Sequence, residues 1–216
     1  MKHIRFYLDF ISPFAYLAFE QLPELLGGIS YSVSYRPVLF GAMLQHHGQL
    51  GPAEIAPKRD WTYRHVLWLA HSKGIALKMP LSHPFNPLPL LRLAAACGTE
   101  AEPGSPSRYV CETIFRHVWQ GGADAADAQR VAALSALLAP QQHLQAEEAK
   151  TQLKHNTDDA IARGVFGVPA LEVDGRIFWG LDALPMLRDY LQGGAWFEGE
   201  GWESVRQVAV GITRKM

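Results

Sequence analysis

Strand character in this chain is confined to its two ends, and this arrangement strongly restricts the folds that it can adopt. Residues 3–10 form a largely apolar run that predicts a first strand. A helix pattern follows over residues 15–22 and ends near Gly27-Gly28, and residues 31–37 alternate as a second strand. Because a strand, a helix and a strand follow in this order, the two strands are predicted to be parallel.

Strands return only near the other end of the chain. Residues 170–173 and 176–179 predict a β-hairpin, since Asp174-Gly175 between them is typical of a two-residue type I′ turn. A last helix is predicted over residues 180–191.

Helical patterns fill the middle of the chain. After a loop rich in Gly, His and Pro at residues 46–57, residues 59–163 are predicted to be wholly helical, with Asp127 as one N-cap. The segments are a first helix with Trp61, His65, Trp68 and Leu69 on one face, then residues 90–97, 108–119, 129–138 and 147–154. A helical insertion that splits one small α/β domain explains this order better than two sequential domains. The predicted division is a discontinuous domain at 1–56 and 157–195, an insertion at 57–156 and a C-terminal tail at 196–216.

Composition limits the partners and the compartment. With 48% hydrophobic and 19% charged residues the chain is an ordinary globular protein, and a net charge of -1 offers no basic excess for nucleic acid. No apolar run reaches bilayer-spanning length, and the N-terminus lacks the pattern of a signal peptide. Cys97 and Cys111 are too few for a disulfide scaffold, and adjacent His46 and His47 diverge. A cytoplasmic protein without a metal, a membrane or a nucleic-acid partner is therefore predicted.

Ser12 and Pro13 stand between the first strand and the first helix. Serine before proline is ordinary helix-start chemistry, and taken alone this structural interpretation is favoured. The same geometry also orients a hydroxyl, free N–H groups and the positive end of the helix dipole. Together these groups can hold a thiolate or another anion.

Val168 and Pro169 precede the third predicted strand, in the run G-V-F-G-V-P-A. A trans proline is the ordinary expectation, since only about 5–6% of X-Pro bonds are cis. A cis bond would turn the N–H and C=O of Val168 outward, where they could pair with an extended peptide.

Trp179, Gly180, Leu181 and Asp182 lead into the last predicted helix. Asp182 could simply cap that helix, a role worth about 1 kcal/mol. Alternatively, its carboxylate could pair with a ligand ammonium while the helix end receives a ligand carboxylate. A γ-glutamyl group carries both charges.

Charged and aromatic side chains decorate the helical block. Most charges in such a set are solvated surface, and Arg92 could cap or pair locally. The aromatic members could wall a flat molecule, and Lys58 or Arg92 could lie near its carboxylate. The candidates for substrate contact are Lys58, Trp61, Phe85, Asn86 and Arg92.

The order of these signals resembles the disulfide-oxidoreductase branch of the thioredoxin superfamily. Redox members open the first helix with C-x-x-C, whereas this chain has Ser12-Pro13-Phe14-Ala15 and neither sulfur. Dithiol exchange needs an attacking and a resolving thiol, so this site is not predicted to perform it. The fold that the resemblance implies is a thioredoxin-like α/β domain split by a long all-helical insertion.

Within that branch the chain resembles the 2-hydroxychromene-2-carboxylate isomerases and the related kappa-class glutathione transferases, over nearly its whole length up to about Trp196. The family's opening is matched by D-F-I-S-P-F-A-Y-L, and its glutathione-binding segments by G-V-P and G-x-D. On the isomerase side, the matches are G-Q-x-G-P, K-R and H-P-F-N. Kappa-class transferases carry Asn where Gln49 aligns, which keeps the amide and changes its reach.

The resemblance implies glutathione as the cofactor. Ser12 would donate a hydrogen bond to its sulfur and favour the thiolate, and Val168 beside cis Pro169 would pair with the cysteinyl backbone. Asp182 would hold the γ-glutamyl end. The other implied glutathione contacts are Gln49, Trp179, Gly180 and Leu181.

The implied reaction is the reversible opening of 2-hydroxychromene-2-carboxylate to trans-o-hydroxybenzylidenepyruvate in naphthalene-type aromatic degradation, and the implied assembly is a homodimer. Two alternatives stay open. One is a kappa-class transferase that conjugates glutathione to an electrophile. The other is a non-catalytic thioredoxin-like module that binds an extended peptide beside Pro169, although the aromatic helical block favours a small hydrophobic substrate.

Overall fold

The computed structural model describes residues 1–140 and 147–212. Its sheet has four strands in the order β2-β1-β3-β4, with β1 parallel to β2 and antiparallel to β3, and β3 antiparallel to β4. The strands are β1 Lys2–Leu8, β2 Tyr31–Pro37, β3 Ala170–Val173 and β4 Arg176–Trp179. The predicted β-α-β start and β-β-α end are confirmed, and so is the parallel pairing of the first two strands.

Most of the helices lie between β2 and β3 in the sequence. The helices are α1 Pro13–Leu25, α2 Phe40–His46, α3 Ala56–Ser72, α4 Leu88–Ala96, α5 Arg108–Trp119, α6 Ala128–Leu138, α7 Glu147–Ala162, α8 Leu184–Leu191 and α9 Glu200–Glu203. Short 3₁₀ turns lie at Pro52–Glu54, Leu181–Ala183, Ala195–Phe197 and Ser204–Gln207. Asp127 caps α6 as predicted, since its carboxylate accepts the N–H of Arg130 at 2.9 Å.

Helices cover both faces of the sheet, because successive residues of a strand point to opposite sides. On one side Ile4, Phe6 and Leu8 of β1 belong to the main core, and on the other Tyr7 belongs to a smaller cluster. The main core takes its buried side chains chiefly from α1, α4, α5 and α8, and the smaller cluster takes Met43 from α2 and Ala160 from α7. The result is a three-layer α/β/α arrangement around β1.

Helix α7 contacts the end of β2 directly. Asn156 donates to the carbonyl of Pro37 at 3.2 Å, and the N–H of Leu39 donates to the Thr157 hydroxyl at 3.0 Å. The helix therefore runs through the predicted boundary between residues 156 and 157. The division into a split domain and an insertion stays a prediction.

Three expectations about secondary structure are wrong. The first strand was expected over residues 3–10, but β1 ends at Leu8 because the Asp9 carboxylate accepts the N–H of Ile11 and closes a turn. The loop expected at residues 46–57 is preceded by the unpredicted helix α2 and contains a 3₁₀ turn and the start of α3. Residues 73–87 are not helical, since this segment contains three prolines and Gly74 at a φ of 64°.

The C-terminal hairpin and the tail pack on one another. Asp174 and Gly175 have φ of 51° and 76°, as the predicted type I′ turn requires. The tail, which the sequence did not assign, brings the rings of Phe197 and Trp202 to within 6.1 and 5.8 Å of Phe178 on β4. Within the described residues no helix combines the length and the apolar character needed to cross a bilayer.

Candidate functional site

Ser12 caps α1 with its side chain. Its hydroxyl oxygen accepts the N–H of Ala15 at 3.2 Å, while its carbonyl accepts the N–H of Tyr16 at 3.1 Å. The hydroxyl proton has only a 3.5 Å contact with the carbonyl of Val168, at the limit of hydrogen bonding. The N–H of Phe14 has no hydrogen-bond partner within the described part of the chain. The start of α1 therefore offers a nearly free O–H and a free N–H beside the positive end of the helix dipole.

The proline loop lies against this helix start. The Val168–Pro169 bond is cis, which the sequence raised as the functional possibility for this proline. The contact between Ser12 and the Val168 carbonyl joins the loop to α1, and no hydrogen bond of the described residues uses the Val168 N–H. On its other side the loop meets Gly180, whose N–H donates to the carbonyl of Pro169 at 2.9 Å. Ser12, Val168, Pro169 and Gly180 are thus one connected group.

The remaining residues of the third motif follow Gly180 on the same side. Asp182 is exposed, its carboxylate has no hydrogen-bond or ion-pair partner among residues 1–140 and 147–212, and it does not cap the 3₁₀ turn that it lies in. The structural alternative for Asp182 is therefore not observed. Trp179 is 52% exposed with its ring 4.8 Å from Phe166, and Leu181 packs against the main core.

The β1–α1 connection that carries Ser12 is fixed by side chains from distant parts of the chain. The Asp9 carboxylate accepts the N–H of Ile11 at 3.1 Å and that of Phe40 at 3.0 Å. The Trp119 indole donates to the carbonyl of Phe10 at 3.0 Å. These three hydrogen bonds help to hold the backbone of the connection in one conformation.

His83 completes this support. Its Nε2 lies 2.8 Å from the carbonyl of Ile11, and its Nδ1 lies 2.7 Å from the Tyr63 hydroxyl. Sequence reasoning quoted His83 within a motif and gave it no role, and it gave no role to Asp9 or Trp119. The H-P-F-N run was the one available signal, since the contacts themselves join residues far apart in the chain.

Burial changes the acidity of two groups in this support. It raises the pKa of the fully buried Asp9 to about 7, although the N–H groups of Phe40 and Ile11 act in the opposite direction. Burial lowers the pKa of His83, although the bond to the Ile11 carbonyl opposes it. His83 is therefore neutral at pH 7.

An aromatic face on α3 begins beside the start of α1. The ring of Phe14, two residues after Ser12, lies 6.1 Å from His65. The His65 ring in turn stacks with Trp61 at 6.0 Å and Trp68 at 6.4 Å. The two indoles are 64% and 60% exposed, so this predicted helix face is a surface and not a core stripe. Through Phe14 it connects Trp61 to the group around Ser12.

The other predicted substrate and cofactor residues differ in position. Phe85 is half-buried with its ring 6.0 Å from His83, and so it lies near Ile11. The side-chain Oδ1 of Asn86 accepts the N–H of Leu88 at 3.1 Å at the start of α4. Gln49 is exposed after α2 and Lys58 is exposed in the first turn of α3, with no side-chain hydrogen bond of either within the described ranges.

Arg92 lies on α4, on the side that faces α7. There its charge contributes to lowering the pKa of Glu147, after the larger effect of Lys150. Within residues 1–140 and 147–212 no contact joins Arg92, Gln49 or Lys58 to Ser12. Their assignments to glutathione or substrate stay predictions.

Thiol and metal chemistry have no visible place among the described residues. Cys97 and Cys111 are free and lie in the helical block, and burial raises the pKa of both thiols, that of Cys97 to about 11. No group of three or more His, Cys, Asp or Glu side chains comes together there as a metal site would require. Two surface cavities of about 510 and 590 Å³ are lined by none of the predicted site residues.

The helix start, the proline loop and the Gly180 segment define a thioredoxin-like domain whose first helix begins after Ser12 and contains no cysteine. Comparisons with known proteins agree. The family model for a DSBA-like thioredoxin domain matches residues 3–192. A 2-hydroxychromene-2-carboxylate isomerase from Sphingobium xenophagum is 30% identical over 204 residues, which cover 88% of this chain and 98% of that protein.

More distant relatives extend this picture. A protein named glutathione S-transferase kappa 2 from Caenorhabditis elegans is 23% identical over 210 residues, which cover 88% of this chain and 92% of that protein. A solved structure of 2-hydroxychromene-2-carboxylate isomerase has a TM-score of 0.76 at 23% identity, covers 96% of this chain and 100% of its own, and shows the same fold. The chain therefore belongs to the DSBA-like thioredoxin family and, within it, to the family of 2-hydroxychromene-2-carboxylate isomerases.

Proposed function

We propose that this chain is a glutathione-dependent isomerase that interconverts 2-hydroxychromene-2-carboxylate and trans-o-hydroxybenzylidenepyruvate. The observation that carries the proposal is the Ser12 hydroxyl, held at the start of α1 beside Val168 in a member of the isomerase family. The kappa transferase among the relatives is named for glutathione, which supports this cofactor for the present chain.

The chemistry of the three segments fits glutathione. Ser12 offers an O–H to the sulfur, and the unpaired N–H of Val168 offers a strand-like bond to the cysteinyl carbonyl. The exposed Asp182 carboxylate suits the γ-glutamyl ammonium. Each of these groups lacks a strong competing partner within the described chain, so binding does not require an existing bond to break.

When bound, glutathione would supply a thiolate that adds reversibly to the C=C bond, which would then be a single bond free to rotate, and elimination would restore the alkene and the same thiolate. Ser12 stabilises the thiolate by turning its proton to the sulfur while it keeps the bond from Ala15. The dipole of α1 acts in the same direction. Each unit by which they lower the thiol pKa corresponds to about 1.4 kcal/mol.

The aromatic face on α3 supports a flat substrate. Trp61 reaches the start of α1 through His65 and Phe14, and Phe85 lies near the Ile11–Ser12 peptide through His83. Lys58, Asn86 and Arg92 are proposed to meet the substrate carboxylate or hydroxyl when substrate binds. A small aromatic carboxylate is the substrate class that this combination of rings and cations suits.

The first test is an absorbance assay of 2-hydroxychromene-2-carboxylate equilibration by purified, thiol-stripped protein. We expect acceleration only after glutathione is added, with no net loss of thiol, because the thiol is regenerated in each turnover. Equal acceleration without any thiol would contradict the proposal. Stoichiometric thiol loss with a model electrophile and no isomerisation would instead favour the transferase.

Substitution of Gly180 tests the γ-glutamyl end. Gly180 has a φ of 96°, and a Cβ there would lie 2.5 Å from an Asp182 carboxylate oxygen. We expect Gly180→Ala to displace Asp182 and to raise the KM for glutathione several-fold, in addition to a stability loss of about 1–3 kcal/mol, because φ 96° with ψ 162° is a backbone conformation that suits only glycine. The measurements are steady-state kinetics and urea unfolding.

Gly193→Ala is the matched control for Gly180→Ala. Gly193 also has a positive φ, of 81°, but a Cβ there meets no atom within 4 Å. We expect a loss of stability of about 1–2 kcal/mol from the positive φ and an unchanged KM. An equal rise of KM in both variants would mean that lost stability, and not the displaced carboxylate, weakens glutathione binding.

Two parts of the prediction, the cellular location and the oligomeric state, lie outside the site. The cytoplasmic location and the homodimer stay predictions from the sequence and the family resemblance. Trp202 of the tail packs on Phe178 of its own chain. Any contact that the tail makes in such a dimer would therefore have to use its exposed side chains, such as Trp196, which is 52% exposed.

A further inference from the structure

The support of the Ile11–Ser12 peptide depends on a pair of side chains that the proposed reaction does not use. His83 lies on the extended segment between α3 and α4, and Tyr63 lies on α3. His83 Nε2 is 2.8 Å from the Ile11 carbonyl, and that carbonyl belongs to the same peptide as the Ser12 N–H. The Ser12 N–H in turn donates to the Asp9 carbonyl at 3.0 Å.

The partners of the imidazole fix its tautomer. A carbonyl oxygen can only accept, so Nε2 must carry a proton and donate it to Ile11. In the neutral ring Nδ1 is then bare, and the Tyr63 hydroxyl lies 2.7 Å from it and 2.8 Å from the His83 carbonyl, so both acceptors compete for its one proton. The Ile11 carbonyl therefore selects the neutral tautomer with a protonated Nε2, and Tyr63 orients His83 by contacting both its Nδ1 and its backbone carbonyl.

We propose that His83 is a positioning residue for Ser12, which holds the Ile11–Ser12 peptide through its Nε2–H and is itself oriented by Tyr63. The inference rests on the proposed function, because its consequence is the placement of the Ser12 hydroxyl on the glutathione sulfur. It assigns the segment between α3 and α4 a role in the site, in addition to any contact of Phe85 with substrate.

The described residues around His83 contact it through hydrogen bonds and aromatic rings, and not through ion pairs. The rings around it are Tyr63, Phe85 and Trp119, at 5.3, 6.0 and 5.5 Å. Among the described residues no carboxylate or cation forms an ion pair with His83. The bond to Ile11 is thus partly buried and made in an aromatic environment, where the loss of one partner leaves the carbonyl unsatisfied.

Two substitutions separate the two nitrogens. His83→Gln keeps an N–H donor near the position of Nε2, whereas His83→Asn keeps a polar group near Nδ1 and loses the bond to Ile11. We expect His83→Asn to reduce glutathione-dependent turnover about 5- to 10-fold and to raise the pKa of the bound thiol, followed by its ultraviolet absorbance. His83→Gln is expected to restore most of the turnover and of the thiolate signal.

A matched control excludes a general loss of stability. The His117 imidazole makes the equivalent bond elsewhere, with Nε2 at 3.0 Å from the carbonyl of Ala125. His117→Asn is expected to lower the melting temperature as much as His83→Asn does and to leave the thiol pKa unchanged. Turnover of folded His83→Asn equal to that of the parent, or failure of His83→Gln to restore it, would overturn the inference.

Nuclear magnetic resonance separates failure of this inference from failure of the proposed function. In the parent protein without glutathione, the ¹⁵N shifts of His83 should show a protonated Nε2 and a bare Nδ1 at neutral pH. The Ser12 amide signal should move in His83→Asn and return in His83→Gln. A Ser12 amide signal that does not move in His83→Asn would refute the positioning role, even if the isomerase assay succeeds. The expected change of that signal in a parent protein without isomerase activity would refute only the proposed function.

Discussion

Replacement of Ser12 by Ala is expected to lower glutathione-dependent isomerisation about 10²-fold while the protein stays folded, because loss of one preorganised donor to a developing anion costs about that much. Within residues 1–140 and 147–212, the Ser12 hydroxyl is the side-chain O–H that lies at the start of α1 next to the Val168 carbonyl. Without it the thiol pKa rises and less thiolate is present at neutral pH. The measurements are kcat and KM for both substrates and the absorbance of the bound thiolate.

Ser12 is also an N-cap, so its replacement costs about 1 kcal/mol of stability as well. Ser107→Ala is the matched control, because Ser107 caps α5 in the same way and accepts the N–H of Val110 at 3.3 Å. Both variants should lose similar stability in urea unfolding, and only Ser12→Ala should lose turnover. Full turnover of Ser12→Ala would remove this serine from the proposed mechanism.

The parts of the fold that the sequence predicted well are those set by local chemistry. The hairpin at Asp174-Gly175 needs two residues with positive φ, and the cap at Asp127 needs one acceptor three residues before an N–H. The sequence predicts residues 73–87 as helix wrongly, because helical patterns of hydrophobic residues flank this segment on both sides. Its three prolines are the local signal against a helix, since the residue before a proline is disfavoured in helical conformation.

The sequence predicts the candidate site as separate motifs, and the tertiary fold brings these motifs together. Ser12 and Val168 are 156 residues apart in the chain, and only the antiparallel pairing of β1 with β3 brings the proline loop to the start of α1. The resemblance to a known family supplied this relation, which residue patterns alone could not.

The support behind Ser12 shows where sequence reasoning ended. Trp119 contacts Phe10 across 109 positions, and His83 contacts Ile11 across 72. A tryptophan at helical spacing predicts a core residue, and Trp119 is indeed fully buried. Nothing in that pattern indicates that its indole N–H donates a hydrogen bond to the carbonyl of Phe10.

Asp9 gives the second large prediction, on the dependence of stability on pH. Burial raises its pKa in the folded protein to about 7, above the ordinary value of 3.8, so the ionised carboxylate is disfavoured in the folded protein. The contribution of Asp9 to stability is therefore fully present below its unfolded pKa and is lost as pH rises toward the folded value. The loss is about 1.4 kcal/mol per pH unit inside that window.

The Asp9→Asn variant isolates this contribution. An amide keeps the shape of the carboxyl group but can accept only one of the N–H groups of Ile11 and Phe40, so it should destabilise the protein by about 1–3 kcal/mol at low pH. Only the parent loses stability when Asp9 deprotonates as the pH rises. The difference in unfolding free energy between parent and variant should therefore shrink by about 2–3 kcal/mol between about pH 5 and about pH 7. Urea unfolding across this range measures it.

The difference between the two proteins is the informative quantity. The lowered pKa values of His83 and His117 make stability fall with falling pH in the same region, but both histidines are present in parent and variant, so their effect cancels. Asp127→Asn, at the exposed cap of α6, is the reference for an aspartate that accepts a single N–H. A pH-independent deficit in Asp9→Asn, or an equal slope in Asp127→Asn, would show that burial of Asp9 does not control this titration.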